Sequence, residues 1–171
     1  MKNESTAFTE TDLQGFLNEM IDHDRLALAD RLQRASERLA EYGQLVTPSR
    51  GDRSWSAHEV LAHIVVLSKF YGVIFHKVST GTMTELDLLN NVGLRDAMDE
   101  QMAQIEPKEL VSMALADHAR TIKSLRAADA ASMRRVVKVD GGETMTAEEV
   151  ARLALISHLE LHIDQLARAL A

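Results

Sequence analysis

The sequence predicts an all-α protein built as a four-helix bundle. Of the 171 residues, 46% are hydrophobic but only 4% are aromatic, so Leu, Ala, Val, Ile and Met must form the core. Unbranched apolar side chains lose little rotamer freedom in a helix. Apolar residues also recur at steps of three and four in four long segments. The alternative is a larger all-α fold without bundle symmetry. The length suits one domain, expected over residues 1–171.

The first two helices have clear boundary signals. Helical spacing of apolar residues predicts the first helix over about Asp12–Tyr42, and Gly43 supplies a stop signal. The second helix opens with a capping box, in which Ser56 is followed three residues later by Glu59. It is expected to continue to about Ser79.

A long, interrupted connection is predicted between the second and third helices. From Thr82 to Glu106 the apolar spacing is irregular, and we expect short helices over Leu86–Val92 and Leu94–Ile105. A connection of this length often carries function, so we expect it to cover a pocket at the bundle end. The third long helix should begin near Pro107, because proline is well tolerated at the first helical position.

A short extended segment should precede the fourth helix. Residues 135–139 alternate between polar and apolar side chains, and residues 140–142 read Asp-Gly-Gly, which predicts a small hairpin. Thr146 and Glu149 then form a second capping box. The fourth helix is expected to run from Thr146 to Leu170.

Composition excludes several functional classes. The formal net charge is −7 and no basic run exceeds Arg134-Arg135, so we expect no nucleic-acid partner. The absence of cysteine excludes disulfides, cysteine-type zinc sites and a thiol nucleophile from the chain itself. The first eleven residues lack the apolar stretch of a signal peptide, and charged residues interrupt the apolar stretch at 60–78. We therefore predict a cytoplasmic protein that does not enter a membrane.

Three of the seven histidines are candidate metal ligands. His158 and His162 lie four residues apart, so their side chains stack on one face of the fourth helix. His63 lies on the apolar stripe of the second helix. Stacked imidazoles in a core need polar partners, and a shared cation satisfies their lone pairs. Three nitrogen ligands leave further coordination positions open, which is typical of a reactive metal site. The alternative is three core histidines without a metal.

The other histidine patterns favour structural roles. His58 and His63 are five residues apart, which does not fit the two-histidine motif of zinc metalloproteases. We expect His58 to be solvated or packed on the preceding loop. His118 lies near the apolar face of the third helix and is expected to be buried and hydrogen-bonded. The paired Glu-x-x-His motifs of di-iron bundles are absent from the sequence.

Two segments resemble the DinB-like superfamily. The first is Trp55-Ser56 followed by Glu59-Val60-Leu61-Ala62-His63-Ile64. The second comprises residues 146–149 and then 158–166, which read Thr-Ala-Glu-Glu and His-Leu-Glu-Leu-His-Ile-Asp-Gln-Leu. The resemblance implies a four-helix bundle, often a homodimer, with zinc or nickel bound by His63, His158 and His162. Members with assigned chemistry include thiol-dependent S-transferases and a mycothiol-dependent isomerase.

The expected function is that of a metal-dependent thiol S-transferase acting on a small-molecule substrate. With no cysteine in the chain, the thiol must be a low-molecular-weight cosubstrate. Water in place of the thiol would make the protein a metal-dependent hydrolase. A third alternative, from a different class, is a non-catalytic bundle that is stabilised by its metal and binds a ligand or partner.

Overall fold

The computed structural model describes residues 8–52, 54–88 and 92–171. In chain order the elements are α1 (Glu10–Gly43), α2 (Ala57–Ser79), β1 (Glu85–Leu86), α3 (Val92–Met102), α4 (Pro107–Ala127), α5 (Ala130–Met133), β2 (Val136–Val139), a 3-10 turn (Asp140–Gly142), β3 (Thr144–Thr146), α6 (Ala147–Glu149), a π-helical stretch (Val150–Ser157) and α7 (His158–Ala169). The last three continue without a break as the fourth long helix. The predicted all-α bundle is confirmed.

The four long helices pack around one apolar core. α4 packs against both α1 and α2, and α2 also packs against the fourth long helix. Buried leucines dominate the interior: Leu28, Leu32, Leu39, Leu61, Leu110, Leu125, Leu155 and Leu159 are all at most 1% exposed. This agrees with the aromatic-poor composition, and Phe75 on α2 is the largest of the fully buried side chains.

Three of the helices begin at a capping box that the sequence contains. Ser56 Oγ accepts from the Glu59 amide at 3.2 Å, and the Glu59 carboxylate accepts from the Ser56 amide at 2.8 Å. Thr146 and Glu149 repeat this arrangement at the start of α6. A further capping box between Thr9 and Asp12 starts α1 at Glu10, two residues before the predicted start.

The protein also contains a small three-stranded sheet, in the order β1-β2-β3. β2 and β3 form the predicted hairpin, and β1 joins it by pairing parallel to β2. The prediction of a helix over Leu86–Val92 is wrong at Leu86, which is a strand residue; residues 89–91 lie outside the described part of the chain. Pairing with β2 satisfies the backbone of β1 and buries Leu86, and the Asp140 carboxylate accepts from the Leu88 amide at 2.6 Å. These partners are more than fifty residues away, so local spacing does not reveal them.

The second helix passes a length and composition test for a membrane span. α2 has a mean hydropathy of 1.4 over its most apolar window, and 67% of that window is buried inside the protein. The core helix of a helical bundle has the same properties. The apolar composition of α2 is therefore accounted for by its burial among the described helices.

Candidate metal centre

The fold brings His63, His158 and His162 together. His63 comes from the second turn of α2, and His158 and His162 come from the first turns of α7. One nitrogen from each ring lies within 4.8 Å of the others, and all three residues are half-buried. The ring centroids of His63 and His162 are 4.5 Å apart, and those of His158 and His162 are 4.8 Å apart. A group of this kind could hold a metal ion.

A carboxylate from the interrupted connection orients His63. Asp99 on α3 lies with Oδ2 at 2.8 Å from His63 Nδ1. Because a carboxylate accepts hydrogen bonds, this contact favours the tautomer in which Nδ1 carries the proton and Nε2 keeps its lone pair. Asp99 Oδ1 is buried and has no hydrogen-bond partner in the described part of the chain.

His162 also has one ring nitrogen on an oxygen acceptor. Its Nδ1 lies 2.9 Å from Gln165 Oε1, three residues further along α7. The backbone of Ala154 acts to raise the pKa of His158, but this effect is smaller than desolvation. His63 and His162 therefore each keep one nitrogen with a free lone pair. In known metal sites, a ligating histidine usually donates its other ring N–H to such an acceptor.

A π-helical stretch leads directly into the first of the two histidines of α7. It covers Val150–Ser157, and the backbone N–H of His158 donates to the Leu155 carbonyl at its end. In a regular α-helix this N–H would donate to the carbonyl of Ala154. Short π-helical segments are frequent at functional sites.

Burial keeps two of the rings in their neutral form. Desolvation lowers the pKa of His158 below its ordinary value, and the nearby His162 and His63 rings lower it further. Desolvation also lowers the pKa of His162. A neutral imidazole has the lone pair that a metal needs, so the electrostatics of the pocket favour the ligating form near pH 7.

Aromatic and charged side chains form the walls around the cluster. The Trp55 ring lies 4.9 Å from the His63 ring and stacks at 6.4 Å on the His162 ring, and the Tyr71 ring lies 6.1 Å from the His158 ring. Arg95 donates to the Tyr71 hydroxyl at 3.2 Å. One wall thus presents a cation beside His158.

A neighbouring cavity is acidic. It has a volume of about 340 Å³ and adjoins the cluster at Trp55 and Asp99, and its other lining residues are Glu59, Asp96, Glu100 and Ala103. Both signs of charge therefore lie near the histidine cluster. An anionic ligand group is favoured beside Arg95 and disfavoured beside these carboxylates.

Several residues of this site were not predicted from the sequence. Asp99 and Arg95 reach the cluster only through the packing of α3 on α2, and no local motif indicates them. Tyr71, on α2 itself, lies near His158 because α2 packs against α7. Gln165 could have been found, because residues three apart on a helix are neighbours. The two histidines of α7 lie at the edge of its buried face and not within the core, where the sequence placed them. The fully buried positions of α7 are Leu159, Ile163 and Leu166, and His158 and His162 flank them.

Two other histidines have structural roles. His118 is 1% exposed and hydrogen-bonded to two serines, as predicted. His58 is packed on the preceding loop, one of its two predicted environments, with Nδ1 accepting from the Ser49 amide at 3.4 Å. Its Nε2 lies 2.8 Å from the Ile105 carbonyl oxygen, and donates to it.

The structure is therefore an all-α bundle in which the second and last long helices share three histidines. No protein-family model and no curated protein matches the chain at the level of sequence. Two crystal structures share the fold: the mycothiol-dependent maleylpyruvate isomerase and a histidine-to-alanine mutant of it. Each aligns with 85% of this chain at a TM-score of 0.67 and 17% sequence identity.

At 17% identity the likeness shows a shared fold. The chain spans 60% of the length of the isomerase chain. What that enzyme binds and converts is therefore evidence for a proposal about this chain, and no more.

Proposed function

We propose that His63, His158 and His162 bind one divalent metal ion, and that the bundle is a metal-dependent thiol S-transferase using a small-molecule thiol. One observation carries the proposal: three imidazoles converge, and two of them, His63 and His162, have their second nitrogen on an oxygen acceptor. Three neutral nitrogen donors suit zinc or nickel, which imidazole binds well.

The surroundings of the cluster support thiol chemistry. A divalent ion held there would stabilise the thiolate form of a thiol that binds to it. The chain has no cysteine to supply that thiol, so it must enter as a small molecule. The solved structure with this fold is, by its name, a mycothiol-dependent enzyme. Arg95, held by Tyr71, lies where it can orient an anionic group of the second substrate.

The test is a conjugation assay. Protein loaded with zinc or nickel is incubated with cellular low-molecular-weight thiols and the electrophile monochlorobimane, and fluorescence is followed. We expect a thiol-dependent rate that falls to the apo-protein background in His162→Ala. The control His76→Ala removes an exposed histidine of α2 and should keep the wild-type rate.

Equal rates for the loaded and apo proteins with every thiol would exclude the transferase. If metal nevertheless stabilised the fold, the non-catalytic binding bundle would be the better description.

Asp99 is expected to strengthen metal binding through His63. Asp99→Ala removes the acceptor for Nδ1–H, and loss of such an acceptor commonly weakens metal affinity about 10–100-fold. Asp99→Asn keeps an acceptor oxygen and should have a smaller effect. Affinity is measured by competition with a chromophoric chelator. Asp96→Ala, which removes an exposed carboxylate of the same helix and cavity, is the matched control. Equal affinities in Asp99→Ala and Asp96→Ala would contradict the assigned role.

A further inference from the structure

The first turns of α1 carry an uncovered apolar stripe. We call residues 10–20 the α1 tip. Its large apolar side chains follow helical spacing and are widely exposed: Leu13 44%, Phe16 56%, Leu17 40% and Met20 49%, with Phe8 at 72% just before the helix. Together they form a patch on the order of 500 Å², comparable to the largest apolar patch of a typical soluble monomer, which is often functional. No helix of the same copy covers the stripe in the described part of the chain.

The α1 tip is also acidic. Between residues 8 and 24 there is no lysine or arginine, and the carboxylates are Glu10, Asp12, Glu19, Asp22 and Asp24. The last two pair with cations of the same copy, Asp22 with Arg25 and Asp24 with Arg152. Glu10, Asp12 and Glu19 form no ion pair among the described residues. Two tips laid side by side would bring like charges together, so a cationic partner surface is favoured.

A groove with complementary properties runs between α2 and α4. Its volume is about 360 Å³, and its lining includes the exposed side chain of Val73. At Gly72 the two helices approach closely, because an added Cβ would lie 2.8 Å from Thr121 Oγ1. The cations around it are Lys69 and Lys77 from α2 and Arg120 and Lys123 from α4. Arg120 pairs with Asp117, whereas none of the three lysines forms an ion pair among the described residues. The rim is therefore positive in a chain whose net charge is −7.

We propose that the α1 tip of one copy docks in the α2–α4 groove of a second copy. The eight-residue rise from Lys69 to Lys77 is about 12 Å, and the seven-residue rise from Leu13 to Met20 is about 10 Å, so the stripe and the groove match in length. The apolar stripe covers the apolar floor while the tip carboxylates face the lysine rim. Reciprocal exchange closes a two-fold dimer, and one-way docking extends a chain. Because each surface is small, the association depends on concentration and salt.

The contact is tested by measuring mass with light scattering behind size exclusion. Phe16→Asp disables the tip and keeps the groove, and the double variant Lys69→Glu/Lys123→Glu disables the groove and keeps the tip. We expect the wild type to exceed the monomer mass at low salt, and both variants to lose this association. Mixing the two variants should restore a two-copy species, because each supplies the surface that the other lacks.

Matched controls separate docking from general surface effects. Leu45→Asp changes an apolar side chain that is 61% exposed elsewhere, and Lys108→Glu reverses an exposed lysine at the other end of α4. Both should keep the wild-type mass, and circular dichroism should show unchanged helix content in every variant. A monomeric wild type, or a mixture that stays monomeric, would overturn the proposal. So would a groove variant that associates like the wild type. None of these residues is in the histidine cluster, so the outcome is independent of the proposed metal chemistry.

Discussion

Zinc is expected to stabilise the wild-type fold by about 2.7 kcal/mol when free zinc is about 100 times its dissociation constant. The physical reason is that an ion on His63, His158 and His162 would link α2 to α7, and the unfolded chain does not hold the three rings together. Nickel should act in the same way. The measurement is the free energy of unfolding in urea, with the ion and after treatment with a chelator.

The variant His63→Ala isolates this effect. It leaves two histidines on one helix, so we expect most of the zinc-dependent stabilisation to disappear and metal content by elemental analysis to fall well below one ion per chain. His76→Ala, on the exposed side of the same helix, should behave like the wild type. If chelator leaves the unfolding free energy of the wild type unchanged, then the three rings are core histidines without a metal, the alternative left open by the sequence.

Acid is expected to destabilise the fold through His118. Ser36 Oγ donates to the Leu32 carbonyl at 2.7 Å and so accepts from His118 Nδ1–H at 2.9 Å. His118 Nε2 then accepts from the Ser68 hydroxyl at 2.8 Å. This neutral ring joins α1, α2 and α4 in the core.

The sign of the pH effect follows from burial. Desolvation lowers the pKa of His118 from 6.5 to about 4 in the folded state. As the pH falls below 6.5, the unfolded chain therefore binds a proton that the folded chain does not. The stabilisation is complete above pH 6.5 and is lost between pH 6.5 and about 4, for a total of about 3 kcal/mol.

Unfolding free energies of wild type and His118→Gln across this pH range give the measurement. Glutamine at position 118 does not titrate. The unfolding free energy of this variant should therefore decrease less between pH 7 and pH 4 than that of the wild type, by about that amount. His76→Gln serves as the control, with a wild-type pH profile. A ring resonance of His118 that titrates near pH 6.5 in the folded wild type would contradict the prediction without depending on any variant.

The interrupted connection links the fold to the candidate site. α3 lies in the Thr82–Glu106 segment, packs on α2 and carries both Asp99 and Arg95. It therefore supplies the acceptor for His63 and the cation beside Tyr71. The sequence-based expectation that this segment covers a pocket identified the region but not the residues.

Local sequence patterns determined the parts of this protein that depend on neighbours along one helix. The capping boxes at Ser56 and Thr146 set two helix starts, and the four-residue spacing of His158 and His162 placed two rings on one face. The position of His63 on an apolar stripe, together with the family resemblance of its segment, indicated it as the third member of the cluster. Each of these features is fixed by helical periodicity, which can be read from the sequence.

Only the tertiary structure decided the features that depend on distant partners. The strand at Leu86 forms because its backbone pairs with β2, which the irregular apolar spacing of its own segment does not indicate. The sequence has no long basic run, yet α2 and α4 together place Lys69, Lys77 and Lys123 around one groove. Asp99 likewise forms a hydrogen bond with His63, from which it is separated by 36 positions in the sequence. Local periodicity fixes which face a residue occupies, whereas the identity of the opposing face depends on how whole helices pack.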